Sequence, residues 1–204
     1  ALNGIGDGNA EVTGSSVGFD QLTSVEAIHG TAYNDDLFGG NIDEWLDGGA
    51  GNDFIDGGAG NDYLEGGDGE DVFFDGDGDD ILLGGADNDS FWIDTAGSGN
   101  DEVDGGAGED QVFYENATAG IIYTGGTALN GIGDGNAEVT GSSVGDDRLT
   151  SVEAIHGTAY NDDLFGGTID EWLDGGAGND FIDGGAGNDY IEGADGEDVI
   201  YDGD

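Results

Sequence analysis

The chain has 204 residues, of which 46 are glycine and 48 are Asp or Glu, against a single Lys or Arg, for a net charge of −47. So negative a surface excludes nucleic acid as a partner and insertion into a membrane, because almost nothing is available to meet a phosphate and no apolar run reaches the length of a spanning helix. The absence of cysteine excludes disulfides, thiolate metal sites and cysteine catalysis.

Charge and glycine at this level ordinarily mean disorder. Here, however, large apolar residues recur on a fixed period, so the chain is expected to fold with cations offsetting the charge. Hard divalent ions prefer clustered oxygen ligands, which makes calcium the first candidate.

Residues 1–29 are intelligible only from a duplication. Residues 1–77 recur as 128–204 without a gap and with seven differences, so the chain holds one 127-residue unit and part of the next. The opening segment is therefore the truncated counterpart of 128–156. With no initiating Met and an end inside a repeat, the sequence reads as a piece of a larger repeat protein.

Residues 30–113 are nonapeptides beginning at Gly30, Gly39, Gly48, Gly57, Gly66, Asp75 and Gly84. After the insertion Ile93 to Thr95 they resume at Ala96 and Gly105. The clearest copies run from Gly48 to Phe74 as GGAGNDFID, GGAGNDYLE and GGDGEDVFF, with glycine at positions 1, 2 and 4, aspartate at position 6 and a large apolar residue at position 8. Six glycine- and acid-rich residues describe a turn, and three strand-forming ones a short strand. A unit this short encloses no core alone, so neighbouring copies must stack and share one.

These units match GGxGxDxUx, with U large and apolar, and the chain resembles the RTX nonapeptide family of type I-secreted bacterial proteins. The resemblance implies an all-β fold, a right-handed parallel β-roll (β-solenoid) with two nonapeptides per coil and calcium ions in the turns. Each ion would lie between backbone carbonyls and aspartates of repeats i and i+2. Carried onto this sequence, the metal ligands are Asp35, Asp53, Asp62, Asp71, Asp80, Asp89, Asp101 and Asp110, then Asp162, Asp180, Asp189 and Asp198. With them go the turn glycines Gly49, Gly51, Gly58, Gly60, Gly67, Gly69, Gly76, Gly78, Gly106 and Gly108. Pairing these residues gives roughly ten Ca²⁺ ions. Position 4 departs from glycine at Tyr33, Ile42, Asp87, Tyr160 and Ile169, and position 6 is Glu44 and Glu171, so weak or absent binding is expected in the block-entrance turns among these.

The U residues Leu37, Leu46, Ile55, Leu64, Phe73, Leu82, Phe91, Val103 and Val112 are expected to point inward and their neighbours outward, because side chains alternate along a strand. The outward set is unusually apolar. Trp45 and Tyr63 fall on one face, and Phe38, Phe54, Phe74 and Trp92 on the other, a strip that neighbouring copies of the chain or a glycan would cover.

Residues 114–156 are a spacer with irregular strands around a loop at 131–145. Ile155, nine residues before Leu164, re-enters the roll in phase. A second block occupies 157–204. His29 and His156 are equivalent copies beside a core Ile and are expected to pack, not to catalyse.

Without a catalytic constellation, the chain reads as a calcium-dependent structural module of a large secreted or cell-surface bacterial protein, of the adhesin, filament or extracellular matrix type. The alternatives are the secretion and folding module of a type I-secreted enzyme, such as a protease, lipase or polysaccharide-modifying enzyme, and a glycan- or ice-binding surface.

Overall fold

The computed structural model describes residues 11–14, 20–21, 26–93, 99–125 and 137–203. Of the insertion, only Ile93 is therefore described, and Ala96 and 131–136 lie outside. Short strands alternate with turns, and no helix occurs among the described residues. Triplets such as Phe54-Ile55-Asp56 favour extended backbone, and the glycine pairs that follow end it.

The strands form two sheets. In spatial order the first contains β2 (Asp20–Gln21), β1 (Glu11–Gly14), β4 (Asp35–Phe38), β6 (Phe54–Asp56), β8 (Val72–Phe74), β10 (Ser90–Trp92), β12 (Gln111–Phe113), β16 (Ala154–His156), β18 (Trp172–Asp174) and β20 (Tyr190–Glu192). The second contains β21 (Val199–Tyr201), β19 (Phe181–Asp183), β17 (Asp163–Phe165), β13 (Ile121–Thr124), β14 (Ala137–Gly141), β15 (Gly145–Thr150), β11 (Glu102–Ala107), β9 (Ile81–Ala86), β7 (Tyr63–Asp68), β5 (Trp45–Ala50) and β3 (Ala27–Thr31).

Within the repeats the pairing is parallel, Leu46 opposite Leu64 in one sheet and Ile55 opposite Phe73 in the other. Two nonapeptides therefore make one coil. Across the insertion the step lengthens without loss of phase, and Leu82 meets Val103 while Phe91 meets Val112. Every U residue from Leu37 to Val112 is fully buried between the sheets, as are Leu164, Leu173 and Ile182 of the second block.

The spacer is where the structure adds most. In the first sheet β12 pairs directly with β16, so the roll continues there as if nothing intervened. In the second sheet β15 pairs with β11 and β13 with β17, both parallel, and β14 lies between them antiparallel to each. The end of the expected loop is thus a strand, because Ala137–Gly141 finds partners on both sides. The second sheet gains β13 and β14, roughly 10 Å of extra width at about 4.8 Å per strand. Tyr114, Ile121, Tyr123, Val139 and Val144 are all buried in this region.

Successive units also exchange the two sheets. The strand around Ile28 lies in the second sheet, but its counterpart around Ile155 lies in the first; likewise β4 and its counterpart β17. Equivalent faces of successive units therefore point in opposite directions.

The His–Trp–Tyr face of the second unit consequently extends the Phe–Trp face of the first. Rings follow one another from Phe38, Phe54, Phe74, Trp92 and Phe113 to His156, Trp172 and Tyr190, with centroids 4.3–5.4 Å apart. Trp92, Phe113 and His156 are stacked within 8° of parallel, so much of their faces is turned to one another. His156 is buried in this stack and lies 3.3 Å from both Asp174 and Gln111, whereas His29 lies 2.7 Å from Asp47 at the surface.

Candidate metal centre

Each turn carries the chain from one sheet to the other, so the position-6 carboxylates gather in two columns along the edges of the roll. In the first column the amide of Asp35 donates to Asp53 Oδ1 at 2.7 Å, Asp53 to Asp71 at 2.7 Å, Asp71 to Asp89 at 2.8 Å and Asp89 to Asp110 at 2.8 Å. In the second column Glu44 donates to Asp62 at 2.8 Å, Asp62 to Asp80 at 2.7 Å and Asp80 to Asp101 at 2.9 Å. The second block repeats the pattern from Asp162 to Asp180, Asp180 to Asp198 and Glu171 to Asp189. All of the turn glycines named above except Gly108 have positive φ, as at Gly60, where φ is 136°. That conformation brings successive turns close enough for their carbonyls to face the column.

One oxygen of each carboxylate is thus spent on the fold. The other is not. Oδ2 of Asp53, Asp62, Asp71, Asp80, Asp89, Asp110, Asp180 and Asp189, and Oε1 of Glu44, are buried without a hydrogen-bond partner. A buried ionised carboxylate with an unused oxygen is costly unless a cation meets it. Burial, partly offset by the amide bond and reinforced by neighbouring carboxylates, pushes Asp62 and Asp89 up to about 8 and Asp71 and Asp80 to about 7. Asp35 and Asp162 differ because threonine occupies position 2. Thr31 and Thr158 donate to them through both amide and hydroxyl.

The tightest cluster joins Asp75, Asp80 and Asp101, whose carboxylate oxygens lie within 4.8 Å of one another and which are all buried. Asp75 was absent from the sequence-derived ligand set. It stands at position 1, where a Cβ points at the position-6 carboxylate, as Gly84 shows: a Cβ there would meet Asp89 Oδ2. The signal was available in DGDGDD, which puts an acid where the motif has glycine. The donor set is oxygen throughout, carboxylate and carbonyl, and so fits calcium.

A family model for the RTX calcium-binding nonapeptide repeat matches four times, at residues 38–73, 57–91, 95–116 and 165–200, more than half of the chain. The chain belongs to the RTX calcium-binding repeat family. Comparison with curated proteins finds no significant match. The RTX matches leave residues 117–164 uncovered, yet the columns enter this stretch. The amide of Asp101 donates to Asp147 Oδ1 at 3.0 Å, and that of Asp110 to Glu153 Oε2 at 3.0 Å. Asp147 is 1% exposed, and burial holds its pKa near 8 even though Tyr114 donates to its second oxygen at 3.2 Å.

Gly145, with φ of 78°, overlies Gly99 and continues the position-4 glycines of the RTX turns. Residues 145–149, GDDRL, are thus the second half of an RTX motif, GxDxU, and sequence reading passed over them. Glu44 and Glu171 also lie in the columns, each buried, with Gly40 and Gly167 donating to their carboxylates.

Proposed function

We propose that this chain is a calcium-rigidified structural segment of a large secreted or cell-surface bacterial protein, of the adhesin, filament or matrix kind. The observation that carries the reading is continuity. Core and first sheet pass through the spacer into the second unit without a break, so near-identical units add length to one roll instead of forming separate beads. RTX repeats occur in secreted bacterial proteins, and among the described residues no helix is long and apolar enough to cross a membrane.

The residues that would hold the ions are the column carboxylates with Asp75, aided by turn carbonyls. A bound ion supplies positive charge to oxygens the fold leaves unpaired. Extracellular sites of this class bind at about 10⁻⁴ to 10⁻³ M, so the chain would stay unfolded at cytosolic calcium and fold outside the cell, with binding and folding one reaction. A calcium titration followed by far-UV circular dichroism tests this. Little β structure in EDTA and a cooperative gain on adding calcium are expected, and a chain already rich in β structure in EDTA near neutral pH would sink the proposal.

A further inference from the structure

In the regular roll, a Cβ on the first glycine of a turn would meet two oxygens, the second carboxylate oxygen of that turn's own aspartate and the first-position carbonyl one coil on. At Gly84 these are Asp89 Oδ2 and the Gly105 carbonyl. At Gly105 they are Asp110 Oδ2 and the carbonyl of Ser151. Ser151 belongs to the spacer, outside every nonapeptide match. It arrives there because Val103 pairs with Leu149, which sets Ser151 one coil beyond Gly105.

From that point the chain takes a short cut. Gly105 to Asp110 uses six residues to turn from one sheet to the other, whereas Ser151, Val152 and Glu153 do it in three. The shortening forces Ser151 into a left-handed conformation, φ 52°, that serine rarely adopts. It also sets the acid back from the column, and the longer side chain of glutamate makes up the distance. Glu153 Oε2 receives the amide of Asp110 as Asp110 Oδ1 receives that of Asp89. Asp110 is 1% exposed, and its Oδ2 has no partner. A cavity of about 260 Å³, lined in part by Asp110, Glu153 and Glu109, opens beside the two carboxylates and gives a hydrated cation a way in.

We propose that Asp110, the Ser151 carbonyl and Glu153 form a divalent-cation site that carries the first column across the spacer and fastens its returning strand to the preceding block. The inference rests on the reading of the columns as calcium sites. A strained serine carbonyl and a glutamate reproduce, with unrelated residues, the oxygen arrangement that glycine and aspartate make elsewhere.

The test is Glu153→Gln in the 204-residue chain. Glutamine keeps an acceptor for the Asp110 amide and removes only the charge, so a merely structural role survives it. Native mass spectrometry at saturating calcium should count one ion fewer than in the parent chain, while Glu65→Gln, on the outward face of β7, leaves the count unchanged. Hydrogen exchange in the same buffer should lose protection at β12 and β16 and retain it at β6 to β9. An unchanged ion count, or protection lost throughout both blocks, overturns the site. If the parent chain takes up no calcium, the underlying reading fails instead, and the two failures are distinct.

Discussion

Asp62→Asn removes one charge from the middle of the second column but keeps an acceptor for the Glu44 amide, which donates to Asp62 Oδ1 at 2.8 Å. Two effects of opposite sign are expected. At calcium a hundredfold above Kd, one site contributes about 2.7 kcal/mol. Its loss removes that contribution and lowers by one the number of ions taken up on folding, so the calcium titration should become shallower.

In EDTA the same substitution helps folding. Burial, opposed by the Glu44 amide and reinforced by the carboxylates of Asp80 and Glu44, raises the Asp62 pKa from 3.8 to about 8. Between those values the metal-free fold keeps a proton that the unfolded chain has released. Stability from this group is therefore full below the unfolded pKa and is lost as pH rises through the folded one, a cost of roughly 4 kcal/mol at about pH 7. Asparagine has no charge to bury, so on acidification in EDTA the variant should gain β structure at a higher pH than the parent. Far-UV circular dichroism reads both titrations. A variant whose calcium titration is as steep as the parent's, and which in EDTA gains β structure at no higher pH, would show Asp62 to be only a hydrogen-bond partner.

Phe73→Ala, which empties a fully buried position stacked on Phe91 at 4.7 Å, should cost about 3–5 kcal/mol in calcium-saturated denaturant unfolding. A loss under about 1 kcal/mol would mean that the core tolerates the cavity by collapse. Asp75→Gly restores the regular motif and removes one of three clustered carboxylates. The tightest class of sites in a calcium-binding isotherm should weaken about tenfold, since ligand charge count tunes affinity, and an unaltered isotherm would remove Asp75 from the ligand set.

Much of the roll was legible because its determinants are local. The nine-residue phase marks Leu46, Ile55, Leu64 and Phe73 as core, and the two nonapeptides per coil that the family resemblance implies set Leu46 over Leu64 and Ile55 over Phe73, as the structure has them. Outward aromatics could be read from alternation, but not that Trp92, Phe113 and His156 would turn their faces to one another, which depends on strands far apart in sequence meeting. The spacer was illegible for the same reason. Ala137–Gly141 is extended because β13 and β15 flank it, and of the two only β15 is joined to it by a short turn. The columns' extension was missed where the motif survives in halves: GDDRL keeps the glycine, the aspartate and the U residue, and Glu153 keeps only the carboxylate.

The exchange of sheets gives the 127-residue period a physical meaning. Strands β3 to β12 alternate between the sheets, β13, β14 and β15 together take the next place in the second, and a unit so passes between the sheets an odd number of times, which puts β16 in the sheet opposite to that of its counterpart β3. Had the spacer returned to the opposite parity, Phe113 would be followed by the face that carries Phe165 and Phe181, and His156 would lie on the other side of the roll. Instead His156 meets Phe113 at 4.3 Å, and the row of rings passes the junction at its closest spacing. Core, first sheet and ring row all cross where the family motif is interrupted, and the first column reaches Glu153 there. Such a segment behaves as a joint within one rod and not as a tether between two, and any partner that reads the Trp–Tyr face meets it on alternate sides in successive units.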